Sequence, residues 1–132
     1  MVDHRGQPRE VTEYALHVQC PWRVLQGDQY VVGSSDMFRP RPGWTGEGDF
    51  DWDVQGANRF DVRVARLNEL LADGRVAVTS VDVTAWADLT ISLSYGFRIE
   101  VLRLTSSVRT ELWRFFRLHR DEPHVVVFTP PD

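Results

Sequence analysis

From Tyr14 onward, apolar and polar positions alternate. Tyr14, Leu16, Val18, Cys20, Trp22 and Val24 fall on one side, and Ala15, His17, Gln19, Pro21 and Arg23 on the other. A period of two is that of a strand with one face on a core. The spacing therefore predicts one long strand, placed at an edge or bulged at Pro21, which has no N–H to give to a ladder. Gln26-Gly27-Asp28-Gln29 reads as a turn, and Tyr30-Val31-Val32 as the returning arm of a hairpin. Residues 36–57 follow without periodicity. Asn58 is a good N-cap with Asp61 three residues on, resembling a capping box with short side chains. Phe60, Val64, Leu67 and Leu71 then recur at helical spacing until Gly74, a C′ residue.

Arg75 to Val83 is β-rich, with a phase shift between Val78 and Val81 that points to a bulge or bend. Leu89, Ile91, Leu93 and Tyr95 alternate. Tyr95-Gly96 turns them into Phe97, Ile99 and Val101, the clearest hairpin in the chain. Ser106 or Ser107 caps an expected second helix carrying Val108, Leu112, Phe115 and Phe116. Val125-Val126-Val127-Phe128 reads as a short strand buried on both sides, ended by Pro130-Pro131. These elements predict a single α+β domain over residues 1–132, with residues 1–10 as a flexible N-terminal arm. Its antiparallel sheet of about five to six strands has two helices packed on one face and one long acidic loop. Tyr14, Trp22, Leu67, Leu71, Leu93, Ile99, Trp113, Phe116 and Val126 are the expected core.

Composition changes this picture little. A hydrophobic share of 42% and a charged share of 26% are those of an ordinary globular chain. The net charge of −4 argues against binding a phosphate backbone, which needs clustered cations. All 15 cations are arginine, a bias that codon usage in a GC-rich genome accounts for. A lone Cys20 permits no intramolecular disulfide and suits a reducing compartment. The first residues lack the apolar run of a secretory signal, and no stretch approaches the roughly 18 apolar residues of a membrane span. A cytoplasmic protein with no membrane partner is expected.

The candidate chemistry centres on Glu47-Gly48-Asp49-Phe50-Asp51-Trp52-Asp53, four carboxylates interleaved with two aromatics inside the long loop. Asp49, Asp51 and Asp53 match the first ligand positions of a calcium loop. Val54 then stands where glycine is required and Phe60 where the bidentate glutamate belongs, so no metal is assigned. The stripe reads instead as a contact surface. Trp44, Phe50 and Trp52 would anchor it, while Glu47, Asp49, Asp51 and Asp53 steer a basic protein partner. Gly43-Trp44-Thr45-Gly46-Glu47-Gly48 lacks the strand, helix and cation of a phosphate cradle. Cys20 and His17 lie on opposite faces of a strand and form no dyad, and Cys20 reads as core. His119 and His124 flank two carboxylates without metal-ligand spacing. Arg109, Arg114, Arg117 and Arg120 are diluted by acids, so no nucleic acid is expected. Neither a nucleophile elbow, a zincin helix nor a P-loop occurs, so no catalytic residue and no cofactor are assigned.

Leu93-Ser94-Tyr95-Gly96-Phe97-Arg98-Ile99-Glu100-Val101, Glu111-Leu112-Trp113-Arg114-Phe115-Phe116-Arg117 and Pro123-His124-Val125-Val126-Val127 form a pattern. Together with Leu16-His17-Val18-Gln19-Cys20-Pro21-Trp22-Arg23 and Gly33-Ser34-Ser35-Asp36, it resembles a family of small bacterial proteins, mostly actinobacterial, without an assigned activity. Leu102-Arg103 stands where the family tends to have Phe-Pro. Small hairpin-plus-helix domains of this kind include immunity proteins of bacterial toxin systems, an analogy of fold alone. Two functions stay open. One is a non-enzymatic interaction domain, such as an immunity-like inhibitor, that binds a basic partner through the acidic-aromatic loop. The other is a small-molecule-binding or small enzymatic domain with a pocket between sheet and helices, lined by His17, Arg23 and Glu100.

Overall fold

A computed structural model describes residues 13–46, 50–72, 74–118 and 120–131. The expected arm, Glu47, Asp49 and His119 lie outside them. The fold is α+β, with two antiparallel sheets in place of the expected one and, among the described residues, a single α-helix in place of two. β1 (Tyr14–Val18), β7 (Glu111–Arg117) and β8 (Val125–Phe128) form a three-stranded sheet in the order β1-β7-β8. β2 (Trp22–Gln26), β3 (Gln29–Gly33), β4 (Val78–Val83), β5 (Leu89–Leu93) and β6 (Phe97–Val101) form a five-stranded one in the order β3-β2-β6-β5-β4. α1 spans Arg59–Leu71, and short 3-10 turns cover Ser34–Phe38 and Ser94–Gly96.

The long strand expected from Tyr14 to Val24 is broken at Cys20-Pro21, and its halves enter different sheets. Pro21 cannot donate to a ladder, but its carbonyl accepts from Leu102 N at 2.8 Å, fixing the corner. The second expected helix is β7. Its aromatic run suits a pleated surface, and strands on both sides complete its hydrogen bonds. A register shift between Glu111 and Trp113 lets the consecutive residues Leu112 and Trp113 both be buried, which strict alternation forbids. β8 is an edge strand and not buried on both sides, as Val125 and Phe128 are exposed.

Both hairpins and the start of α1 match expectation. The helix C-cap, however, is Ala72, one residue earlier than Gly74 as C′ implied, and β4 starts at Val78 rather than Arg75. Tyr95 (φ 61°, ψ 24°) and Gly96 (φ 78°) are both left-handed, the geometry of a tight hairpin turn between β5 and β6. Gly27 N donates to Gly96 O at 3.0 Å, tying this turn to the β2–β3 hairpin. The bulge expected in β4 lies between Val78 and Ser80. In the five-stranded sheet, register sets Trp22, Val24, Leu89, Ile91, Ile99 and Val101 on one face. α1 covers one end of that face through Phe60, Val64, Leu67 and Leu71, packed around Val24, Val32 and Phe97. The three-stranded sheet covers the other end, where Leu16, Val18 and Cys20 pack on Ala87, Leu89, Val101, Leu112 and Trp113. Of the expected core, Trp113 is buried, Trp22, Leu67, Leu71, Leu93 and Ile99 are half-buried against it, and Val126 and Phe116 are half-buried on the outer face. Tyr14 is exposed and stacks on Phe115 instead (5.4 Å).

The long loop is more tightly held than its composition suggests. Asn58 Oδ1 accepts from Asp61 N as an N-cap should (2.8 Å), while Asn58 Nδ2 donates to Trp52 O (2.8 Å). The reciprocal half of the expected capping box is diverted, for Asp61 Oδ2 accepts from Gly56 N at 2.9 Å. Asn58 is buried, so Asn58→Ala removes a cap and the hydrogen bond to Trp52 O. A loss of about 1–2 kcal/mol is expected by chemical denaturation, against a few tenths for Gln55→Ala nearby.

Candidate functional site

Where the sheets diverge, their apolar faces do not meet fully. A cavity of about 430 Å³ separates them. Leu16, Trp113, Phe115 and Val125 line it from the three-stranded sheet, and Val78, Val81, Leu89 and Ile91 from the other. Register explains the lining. Leu16 pairs with Phe115 and Phe115 with Val125 on one side, while Val81 pairs with Ile91 on the other, so all present one face. The cavity opens between the two edge strands, β4 and β8. Its volume falls within the range of small-ligand sites, about 300–1,000 Å³. None of the eight lining side chains is titratable. An occupant would be held by apolar contact and shape, at about 25 cal/mol for each Å² of apolar surface buried. The Trp113 indole N–H is sealed in this wall with no acceptor among the described residues.

This is a pocket between sheet and sheet, not the one expected between sheet and helices. Arg23 and Glu100 alternate with Trp22, Val24, Ile99 and Val101, so they fall on the opposite, polar face. There Glu100 bridges Arg23 Nε (2.6 Å) and Arg98 Nε (3.2 Å). His17 lies elsewhere, on the outer face of the three-stranded sheet. Its ring meets Phe116 edge-on (4.8 Å), and His124 stacks on the same ring (4.4 Å) while contacting Arg114 Nη1 through Nδ1 (3.2 Å). The three expected pocket residues are therefore not brought together. Arg114 and Arg117 belong to β7 and not to a helix. Arg114 pairs with Glu111, and Arg117 with Glu13 and Glu122.

Among the described residues of the acidic-aromatic stripe, the rings pair. Trp44 meets Phe50 at 6.2 Å, with the Arg41 guanidinium over the Trp44 ring, and Trp52 meets Phe38 at 5.6 Å. Phe38 and Trp52 remain 61% and 47% exposed, so this ring pair stands on the surface. Asp51 Oδ1 accepts from Asp53 N at 3.0 Å, and both residues are exposed. No group of three or more His, Cys, Asp or Glu side chains comes together among the described residues.

Cys20 is half-buried beside the core. Burial, reinforced by the negative charge of Asp88, pushes its thiol above the usual range. A thiol that stays protonated is a poor nucleophile, consistent with a packing role. No helix among the described residues is long and apolar enough to cross a membrane. The cavity had no legible signal in the sequence beyond the alternation of its walls, because its existence depends on how two sheets diverge. Comparison with protein-family models, with curated proteins and with solved structures finds no match for this chain.

Proposed function

We propose that this chain is a binding domain whose ligand is a small apolar molecule seated between the two sheets. The observation that carries this reading is the cavity of about 430 Å³, walled by carbon-rich side chains from both sheets. Four of its lining residues, Val78, Val81, Phe115 and Val125, are exposed, and an exposed apolar cleft of this kind marks a binding site. Titration with N-phenyl-1-naphthylamine, an uncharged apolar fluorophore, tests it. Saturable one-site binding with energy transfer from tryptophan is expected, nearly unchanged between low and high salt, because no charge lines the site. Failure to saturate below the solubility limit of the probe would sink the reading.

A protein contact through Trp44, Phe50, Asp51, Trp52 and Asp53 is the second reading, favoured by the exposed Phe38–Trp52 pair. Large aromatics with a surrounding polar rim are the usual anchors of interfaces. An immunity-like inhibitor of a basic partner is the form that the analogy of fold lends it. Under this reading a cell lysate at low salt yields a basic protein retained by the wild type and lost by the double variant Asp51→Asn/Asp53→Asn. Equal retention by both chains would remove the carboxylates from the contact.

A further inference from the structure

We infer that the free edge of β4 pairs with the same edge of a second copy of this chain, about a two-fold axis through Val81. β4 ends the five-stranded sheet, and no strand among the described residues pairs with its outer side. All six of its residues are exposed, including Val78, Val81 and Val83 at 59%, 57% and 54%. An edge of this kind presents unpaired N–H and C=O groups beside apolar side chains. Natural sheets usually blunt such edges with lysine, proline, bulges or charges turned inward. β4 carries none of the first two, and Asp82 pairs in register with Thr90, on the polar face. Its bulge lies between Val78 and Ser80, which leaves Ser80 to Val83 in regular register with β5.

The occupant follows from the sequence of the strand itself. A two-fold interface sets residue i against j and j against i. Centred on Val81, antiparallel pairing places Val81 opposite Val81 of the partner subunit and Ser80 opposite Asp82 of the partner subunit. Val83 of the partner subunit then falls opposite the bulge at Thr79. The apolar face continues as apolar across the axis, and on the polar face a serine hydroxyl donates to a carboxylate. The neighbouring register centred on Asp82 would oppose two carboxylates, and like charges directly opposite destabilise a pair. Charge therefore favours the Val81-centred register over its Asp82-centred neighbour. Stable interfaces bury about 1,200–2,000 Å² in total, and one six-residue edge stands at the small end, so the association is micromolar rather than permanent. Val78 and Val81 also line the cavity, so the seam and the cavity share this strand.

Sedimentation velocity over a concentration series, with disulfide trapping, tests this. The wild type is expected to pass from monomer to dimer with rising concentration. Val81→Lys, which sets two ammonium groups face to face at the axis, should weaken dimerisation at least tenfold while leaving the far-UV circular dichroism unchanged. Val81→Cys in the native chain should form an intermolecular 81–81 disulfide on mild oxidation, mapped by peptide mass spectrometry. Thr79→Cys should form no 79–79 link, because the bulge at residue 79 falls opposite residue 83. A wild type that stays monomeric at millimolar concentration overturns the inference. So does a dimer that survives Val81→Lys, or one in which positions 79 and 81 cross-link equally well.

Discussion

Leu112→Ala should cost the domain about 3 kcal/mol, within the 2–5 kcal/mol typical of Leu→Ala in a core. Leu112 is 1% exposed and belongs to the cluster of Ala87, Leu89, Val101 and Trp113 that joins the two sheets. Truncation removes transfer free energy and leaves a void. That void cannot close readily, because the backbone at Leu112 is held by Gln19 N on its carbonyl (2.8 Å) and by the register shift on its other side. In a domain of this size the loss lowers the thermal midpoint by roughly 10 °C, and the denaturant midpoint falls with little change in slope. Leu70→Ala, on the exposed face of α1, should stay within about 0.5 kcal/mol, since alanine is the better helix former. Equal costs at the two positions would mean that the inter-sheet cluster is not the core.

Val125→Trp should lower the affinity for N-phenyl-1-naphthylamine at least tenfold. Val125 lines the cavity from edge strand β8, opposite Phe115, and is exposed enough for a larger side chain to enter without forcing the backbone. An indole turned into the cavity takes up space the probe needs. It also adds contacts to side chains that otherwise face a void, so stability should hold within about 0.5 kcal/mol. Val54→Trp places the same indole on an exposed position outside the cavity and should leave the titration unchanged. Unaltered binding in Val125→Trp would locate the probe elsewhere, on the aromatic pair of the loop. Loss of binding in both variants would mean that the titration reports surface hydrophobicity. The contrast between the two variants thus isolates the site from general stickiness.

How far the fold can be read along the chain depends on the range of the interaction involved. The hairpin from Leu89 to Val101 and the turn at Gly27-Asp28 were legible because left-handed residues and short connections act within a few positions. Helix α1 was legible from Asn58 and from the stripe of Phe60, Val64, Leu67 and Leu71. The region Val108 to Phe116 was misread because Leu112 and Phe116 satisfy both periods at once. They lie four apart, as on a helix face, and an even number apart, as on a strand. What decided for strand was the presence of β1 on one side, where Tyr14 meets Arg117, and of β8 on the other.

The site divides in the same way. The ring pairs and turns of the acidic-aromatic loop form within residues 36–57, where the alternation marked Trp44, Phe50, Trp52 and their carboxylates as a candidate surface. Trp52 is exposed, and Trp44 and Phe50 are half-buried. The apolar cavity draws on residues from Leu16 to Val125, and no local pattern announces it.

By itself the sequence determined the alternation of apolar and polar positions, the turns and the cap of α1. Those features act through the geometry of neighbouring residues. Only the tertiary structure decided that Pro21 divides one alternating run between two sheets, that β7 is a strand, and that two apolar faces diverge enough to leave a space between them. Each of these depends on hydrogen-bond and packing partners distant in the chain, whose arrival no local propensity encodes.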